Sequence, residues 1–141
     1  MDKILERKIA LACSVEHAFE VFTGKIDLWW PRGHRRNRDA ALTLTPEALV
    51  ERAPDGSQWT MGRVTAFEPH HHLALDWFPG SPNAPTSVDV RFEAGGGGAI
   101  ISITHRALTP GAEAIWDERI GQFVKGWDSV LPALKSFIEE D

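Results

Sequence analysis

His105 follows Ile101 and Ile103 at alternate positions, which places an imidazole on the inner face of a strand near its end. Imidazole is the side chain that trades a proton near neutral pH, so His105 is the candidate general acid or base. Such a role needs an orienting group within hydrogen-bond reach, and the sequence identifies none. The plainer reading is a buried imidazole satisfied by its neighbours, and no catalytic residue is assigned beyond this candidate. His70-His71-His72 gathers three further imidazoles after Pro69. Consecutive turn residues rarely converge on one ion, whereas metal motifs repeat their ligands on one face, so a solvated turn is expected and no metal site is assigned. Gly95–Gly98 lack the following Lys-Ser/Thr and helix of a phosphate loop and read as a hairpin connection. Arg32, His34, Arg35, Arg36 and Arg38 form a positive cluster in a chain of net charge −5. They read as a solvated loop, or as a lid that draws an anionic head group such as a carboxylate to a cavity. A single cysteine, Cys13, excludes an internal disulfide and any Cys-based zinc site.

Aromatic residues carry the other signal. The chain has six Trp and no Tyr, and large rings with one N–H donor suit an apolar concavity as well as a core. Trp29 and Trp30 stand before Pro31, and adjacent helical residues point about 100° apart, so the two cannot face one core together. By strand parity Trp59, Met61, Arg63, Thr65 and Phe67 share one face, and Leu73, Leu75 and Trp77 another. If these faces are concave, Trp59 and Trp77 line a cavity and Arg63 is its cation.

The elements that must position these groups follow from periodicity. Residues 3–12 alternate, with Leu5, Ile9 and Leu11 opposing Glu6 and Lys8, as in a half-buried strand. Ser14 offers an N-cap and Glu16 a first-turn acid to a short helix carrying Val15, Ala18, Phe19 and Phe22 and closing near Gly24. A second short helical piece covers Lys25–Trp30 before Pro31. From about residue 41 the pattern is alternating strand, broken by Thr45-Pro46, Pro54-Asp55-Gly56, Pro69-His70, Pro79–Pro85 and Gly95–Gly98, which predicts an antiparallel meander. After Thr109-Pro110 the period becomes 3.6, with Trp116, Ile120, Phe123, Trp127, Val130, Leu131, Leu134 and Phe137 on one stripe. Pro132 predicts a kink in that helix, and Glu139-Glu140-Asp141 oppose its dipole and are expected to fray. The result is an α+β chain whose sheet wraps a long C-terminal helix, and a curved sheet leaves a void against a straight helix.

At 141 residues the chain suits one domain over 1–141 with one core. Its negative charge argues against nucleic-acid partners. Its charged N-terminus lacks the apolar stretch of a secretory signal, and no run is apolar enough for a membrane span, so a cytoplasmic location is expected.

The ordered pieces resemble a known family. They are Ser14-Val15-Glu16-His17-Ala18-Phe19, Trp29-Trp30-Pro31, Gly62–Pro69 followed by Leu73–Trp77, Val88–Phe92, Ile101–His105, and Gly126-Trp127 with Leu131 and Leu134. Together they resemble the AHSA1-like (activator of Hsp90 ATPase homologue) branch of the START/SRPBCC helix-grip superfamily, over nearly the whole chain. Pro46-Glu47-Ala48 departs from the glycine pair that commonly precedes the third strand of that family. The resemblance implies a helix-grip (START/Bet v 1-like) fold and a ligand-binding or accessory domain. Among relatives so implied are a co-chaperone that stimulates an ATPase and, more distantly, cyclases and hydrolases. The leading expectation is a small apolar ligand, entering beneath residues 31–40 and packing on Trp29, Trp30, Trp59, Trp77, Phe123 and Trp127, with Met61, Arg63 and His105 beside it. No cofactor is expected, and the alternatives are an enzyme using His105 in the same cavity or a protein-interaction domain, monomeric or homodimeric.

Overall fold

The computed structural model describes residues 4–35, 37–77, 86–107 and 110–139. Strand β1 (Ile4–Leu11) leads into helix α1 (Val15–Gly24), helix α2 (Ile26–Trp29) and a 3₁₀ turn at Arg32–His34. Six strands follow, β2 (Ala41–Leu44), β3 (Ala48–Arg52), β4 (Gln58–Glu68), β5 (His72–Trp77), β6 (Thr86–Gly95) and β7 (Gly98–Ala107), and then helix α3 (Pro110–Glu139). All pair antiparallel in one sheet of order β1-β7-β6-β5-β4-β3-β2. The meander continues from β2 to β7, and β1 closes beside β7. This is the helix-grip architecture the sequence predicts, with two short helices after the first strand and α3 lying in the sheet's hand.

Local chemistry sets the boundaries. Ser14 Oγ accepts the His17 N–H at 3.0 Å and starts α1. The Thr45 hydroxyl accepts the Glu47 and Ala48 N–H groups, each at 3.2 Å, to build the turn between β2 and β3 without the family's glycine pair. Between β6 and β7, Gly96 and Gly97 both take left-handed backbone (φ 59° and 83°), the requirement of a two-residue hairpin turn matched to strand twist. Residues 78–85, where sequence predicts a Pro-rich turn, lie outside the described residues.

The core lies between the sheet's concave face and the helices. Phe19 and Phe22 of α1 set their rings edge-on to Phe92 at 5.1 and 5.7 Å. Leu73, Val90, Ile101 and Ile103 point up from the sheet, and Leu131, Leu134 and Ile138 point down from α3. The helix runs the same way as β1: Asp128 pairs with Arg7 at 2.9 Å, Lys135 donates to the Ala10 carbonyl at 2.9 Å, and Glu139 accepts the Ala12 N–H at 3.0 Å. Glu139 is therefore tied down, not frayed, while Glu140 and Asp141 lie outside the described residues; the hydrogen bond from Lys135, reinforced by Ala12, holds Glu139 below the usual carboxylate range. Pro132 sits inside α3 with its ring exposed, and the helix continues through it to Glu139.

β4 departs from simple alternation. Leu49 and Val50 pair with Gly62 and Thr60, leaving Met61 as an extra residue, and Leu75 and Ala74 pair with Val64 and Ala66, leaving Thr65 as a second. Each bulge reverses the side-chain parity and sharpens the strand's coil. Gly62 and Val64 thereby share the face of Trp77 and Leu75, while Arg63 turns to the exposed face opposite Asp76. Gly62 has no room for a side chain: a Cβ there would lie 2.6 Å from both the Asp76 carbonyl oxygen and Leu75 Cδ1. Gly62→Ala should cost about 1–3 kcal/mol, read as a lower urea midpoint with unchanged slope.

Candidate functional site: a cavity between sheet and C-terminal helix

A concavity of about 260 Å³ lies between the middle of α3 and the ends of β5 and β7. Trp30 closes it from the end of α2, His34 from the 3₁₀ turn, Trp77 from β5 and His105 from β7. α3 supplies Arg119, Gln122, Phe123, Gly126, Trp127 and Val130. Those positions recur every three or four residues, so they form one helical face. Behind the concavity is a second void of about 20 Å³ with apolar walls, including Phe22, Ile26, Leu75 and Val88. Trp30, Trp77 and Trp127 border both. The Trp30 ring centre is 6.0 Å from Trp77 and 6.1 Å from Trp127, so the three indoles make the partition.

His105 forms the polar floor. It is 1% exposed, and both ring nitrogens are engaged. Trp127 Nε1–H donates to Nδ1 at 3.0 Å. Nδ1 is thus the acceptor of a neutral imidazole, and Nε2–H must be the donor to Thr86 Oγ1 at 2.7 Å. The threonine hydroxyl then donates to the Trp77 carbonyl at 3.2 Å. Burial pushes the imidazole pKa down to about 4, so it is neutral at physiological pH. Phe123 packs tilted against it, ring centres 4.4 Å apart, and Trp116 meets the ring edge-on at 5.7 Å. Both ring nitrogens are thus engaged within the protein, one accepting from Trp127 and the other donating to Thr86. The arrangement holds α3 to the sheet.

Over residues 12–139 the sequence matches the model of the family described as Activator of Hsp90 ATPase homolog 1-like protein. The chain belongs to that family. No curated protein matches it at a significant level. Among solved structures, a protein from Mesorhizobium loti is similar with a TM-score of 0.70 at 13% identity, covering 97% of each chain. One from Nitrosomonas europaea has a TM-score of 0.67 at 17% identity, covering 97% of this chain and 94% of its own. DynU16, described as a putative protein in the dynemicin biosynthetic locus, has a TM-score of 0.71 at 16% identity, covering 99% of this chain and 48% of its own. At these identities the likeness is one of fold.

In this AHSA1-like chain, the cavity brings together Trp30, Trp77, His105, Phe123 and Trp127 of the residues singled out from sequence, with His34 of the basic loop. Others lie elsewhere. Trp29 is buried and donates to the Val21 carbonyl at 2.9 Å; against the expectation from helical spacing, its ring centre is 5.5 Å from that of Trp30 and both indoles belong to one core, because Trp30 lies past the end of α2 in extended backbone. Met61, the first bulge residue, is buried in the core. Trp59 lines a different concavity with Asn37, Glu51, Ala53, Ser57 and Gln58. Arg63 is exposed on the outer face, as the bulge requires, and the cavity's cation is Arg119. Sequence reading passed over Arg119 because the α3 stripe was traced through apolar residues alone; Arg119 precedes Phe123 and Trp127 by four and eight positions on the same face.

The basic loop is not a uniform lid. The Arg35 side chain is 1% exposed and donates to Asp27 Oδ1 at 2.7 Å and to the carbonyls of Ala40, Asp27 and Trp30 at 2.6, 2.7 and 2.8 Å. Burial alone would raise the Asp27 pKa, but the Leu42 N–H and the Arg35 guanidinium hold it below the usual carboxylate range. Arg35 is thus a strut joining α2, the loop and β2. Arg32 is exposed and donates to the Arg38 carbonyl at 2.8 Å, while Arg36 lies outside the described residues. The three consecutive histidines diverge: His70, at φ 71°, lies against Phe19 and 3.7 Å from Glu20, His71 is exposed, and His72 meets Asp89 at 2.7 Å.

Arg35→Ala should lower stability by about 3–5 kcal/mol, since it strands buried acceptors and leaves Asp27 without its partner; thermal or urea melts measure it. His105 should make the fold acid-sensitive. With its folded pKa near 4 and an unfolded value of 6.5, protons bind the unfolded chain first, so this contribution is complete above 6.5 and lost as pH falls toward 4. The loss amounts to about 3 kcal/mol, and His105→Gln should flatten that portion of the stability profile.

Proposed function

We propose that residues 1–141 act as one binding domain for a small apolar or amphipathic molecule, held in the cavity between the sheet and α3. The observation that carries this reading is the wall itself: Trp30, Trp77 and Trp127 stand around a space that Gly126 keeps open. A Cβ at Gly126 would meet nothing within 4 Å. Glycine in a helix interior costs about 1 kcal/mol relative to alanine, so its presence opposite the indoles favours capacity over helix stability. Desolvation supplies the driving force: covering a few hundred Å² of apolar ligand surface at roughly 25 cal/mol per Å² gives several kcal/mol before association costs. The volume is near the lower end of small-molecule sites, roughly 300–1,000 Å³, which favours a compact ring system over a long-chain lipid. No helix among the described residues is long and apolar enough to cross a membrane, in keeping with a domain that receives its ligand from water.

The test uses N-phenyl-1-naphthylamine, a neutral dye whose emission rises on leaving water. The wild-type protein should bind it saturably. Gly126→Leu, which fills the cavity while improving helix propensity, should weaken binding at least about tenfold without lowering the thermal midpoint. Equal binding by the variant would move the site away from this cavity.

A further inference from the structure

The cavity's polar groups are asymmetric in charge. Among the described lining residues Arg119 is the one permanently charged side chain, and none is Asp or Glu. The remaining polar side chains are Gln122, His34 and the neutral His105. Segments 78–85 and 108–109, which adjoin Trp77 and α3 in sequence, contain no Asp or Glu either. Arg119 is partly buried, and among the described residues no ion pair or side-chain hydrogen bond engages its guanidinium. Among the described residues the other partly or fully buried arginines behave differently: Arg7 pairs with Asp128, and Arg35 with Asp27. A half-desolvated guanidinium without an anion is an incomplete arrangement, and its planar fork matches a carboxylate in two parallel hydrogen bonds.

Resting on the cavity reading above, we infer that the ligand is a small monocarboxylic acid, its carboxylate on Arg119 and its apolar body among Trp30, Trp77 and Trp127. One guanidinium balances one negative charge. A phosphate ester, with nearly two charges at neutral pH, would need a second cation or a cluster of backbone N–H groups, and the wall offers Gln122 and His34 instead. The ends of the site are therefore polarised: the fork at α3's N-terminal half meets the head group, and the indole partition receives the body. Arg119 here is a binding residue, with no part in a reaction.

Displacement of the neutral dye tests this with three probes that share a body: cyclohexylacetate, cyclohexylacetamide and cyclohexylmethyl phosphate. The acid should compete about tenfold better than the amide, the size of one charge-assisted contact, and better than the phosphate. Arg119→Gln, which keeps the stem and the fold's thermal midpoint, should reduce the acid to the amide's level while dye binding persists. Equal competition by acid and amide, a preference for the phosphate, or an acid preference that survives in Arg119→Gln would each overturn the inference while leaving the cavity reading intact. Failure of any cyclohexyl probe to displace a bound dye would overturn it too. If the dye itself does not bind, the cavity reading falls and the inference with it.

Discussion

The hydrogen-bond chain from Trp127 through His105 and Thr86 to the Trp77 carbonyl is the constraint on which the site depends. Apolar packing alone would let α3 settle anywhere along the concave face, since desolvation has no direction. A buried imidazole does have direction. It must receive one hydrogen bond and give another, and leaving either unmade costs about 1–3 kcal/mol. His105 meets both needs only when Trp127 sits above β7 and Thr86 stands beside it on β6. That geometry fixes how far the middle of α3 stands from the sheet, and hence the opening that the indoles surround.

The opposite end of α3 is held by different means. Asp128, Lys135 and Glu139 meet β1 and the residue following it through polar contacts at the rim, while Leu131, Leu134 and Ile138 fill the space beneath. The helix is closed onto the sheet toward its C-terminus, and near its N-terminus Ala112 and Trp116 are buried as well, so the cavity lies along its middle. Arg35 performs the corresponding task for the approach to the cavity, fastening α2 and the loop to β2 so that Trp30 and His34 arrive at the rim. A charged side chain used as an internal strut explains how a loop dense in arginine keeps a defined path.

Much of this was legible in the sequence, for reasons that separate cleanly. Periodicity located β1, α1 and α3, turn chemistry located the meander, and the parity of Ile101, Ile103 and His105 placed the imidazole inward. Parity failed on β4 because it counts residues, and Met61 and Thr65 each add one without advancing the pairing. Gly62, whose Cβ would strike the neighbouring strand, is the residue that marks the irregularity. Arg119 escaped notice because a polar residue on an apolar stripe reads as the stripe's edge until the opposing surface is known to be hollow. For Arg35 the sequence suggests a solvated loop or a lid, because nothing local reveals that Asp27, eight residues earlier, lies beside it.

The partition between the two voids is made of side chains, so the division between them rests on how three indoles pack. Backbone walls are fixed by sheet and helix hydrogen bonds, whereas an indole swings on two torsions. Trp30 is 7% exposed and donates its ring N–H to the His34 carbonyl at 3.3 Å, whereas another rotamer of the partly buried Trp77 would join the outer chamber of about 260 Å³ to the inner one of about 20 Å³ and leave every strand in register. In the binding role proposed above, a guest smaller than the outer chamber would meet these indoles as they stand, and a bulkier one would have to displace them.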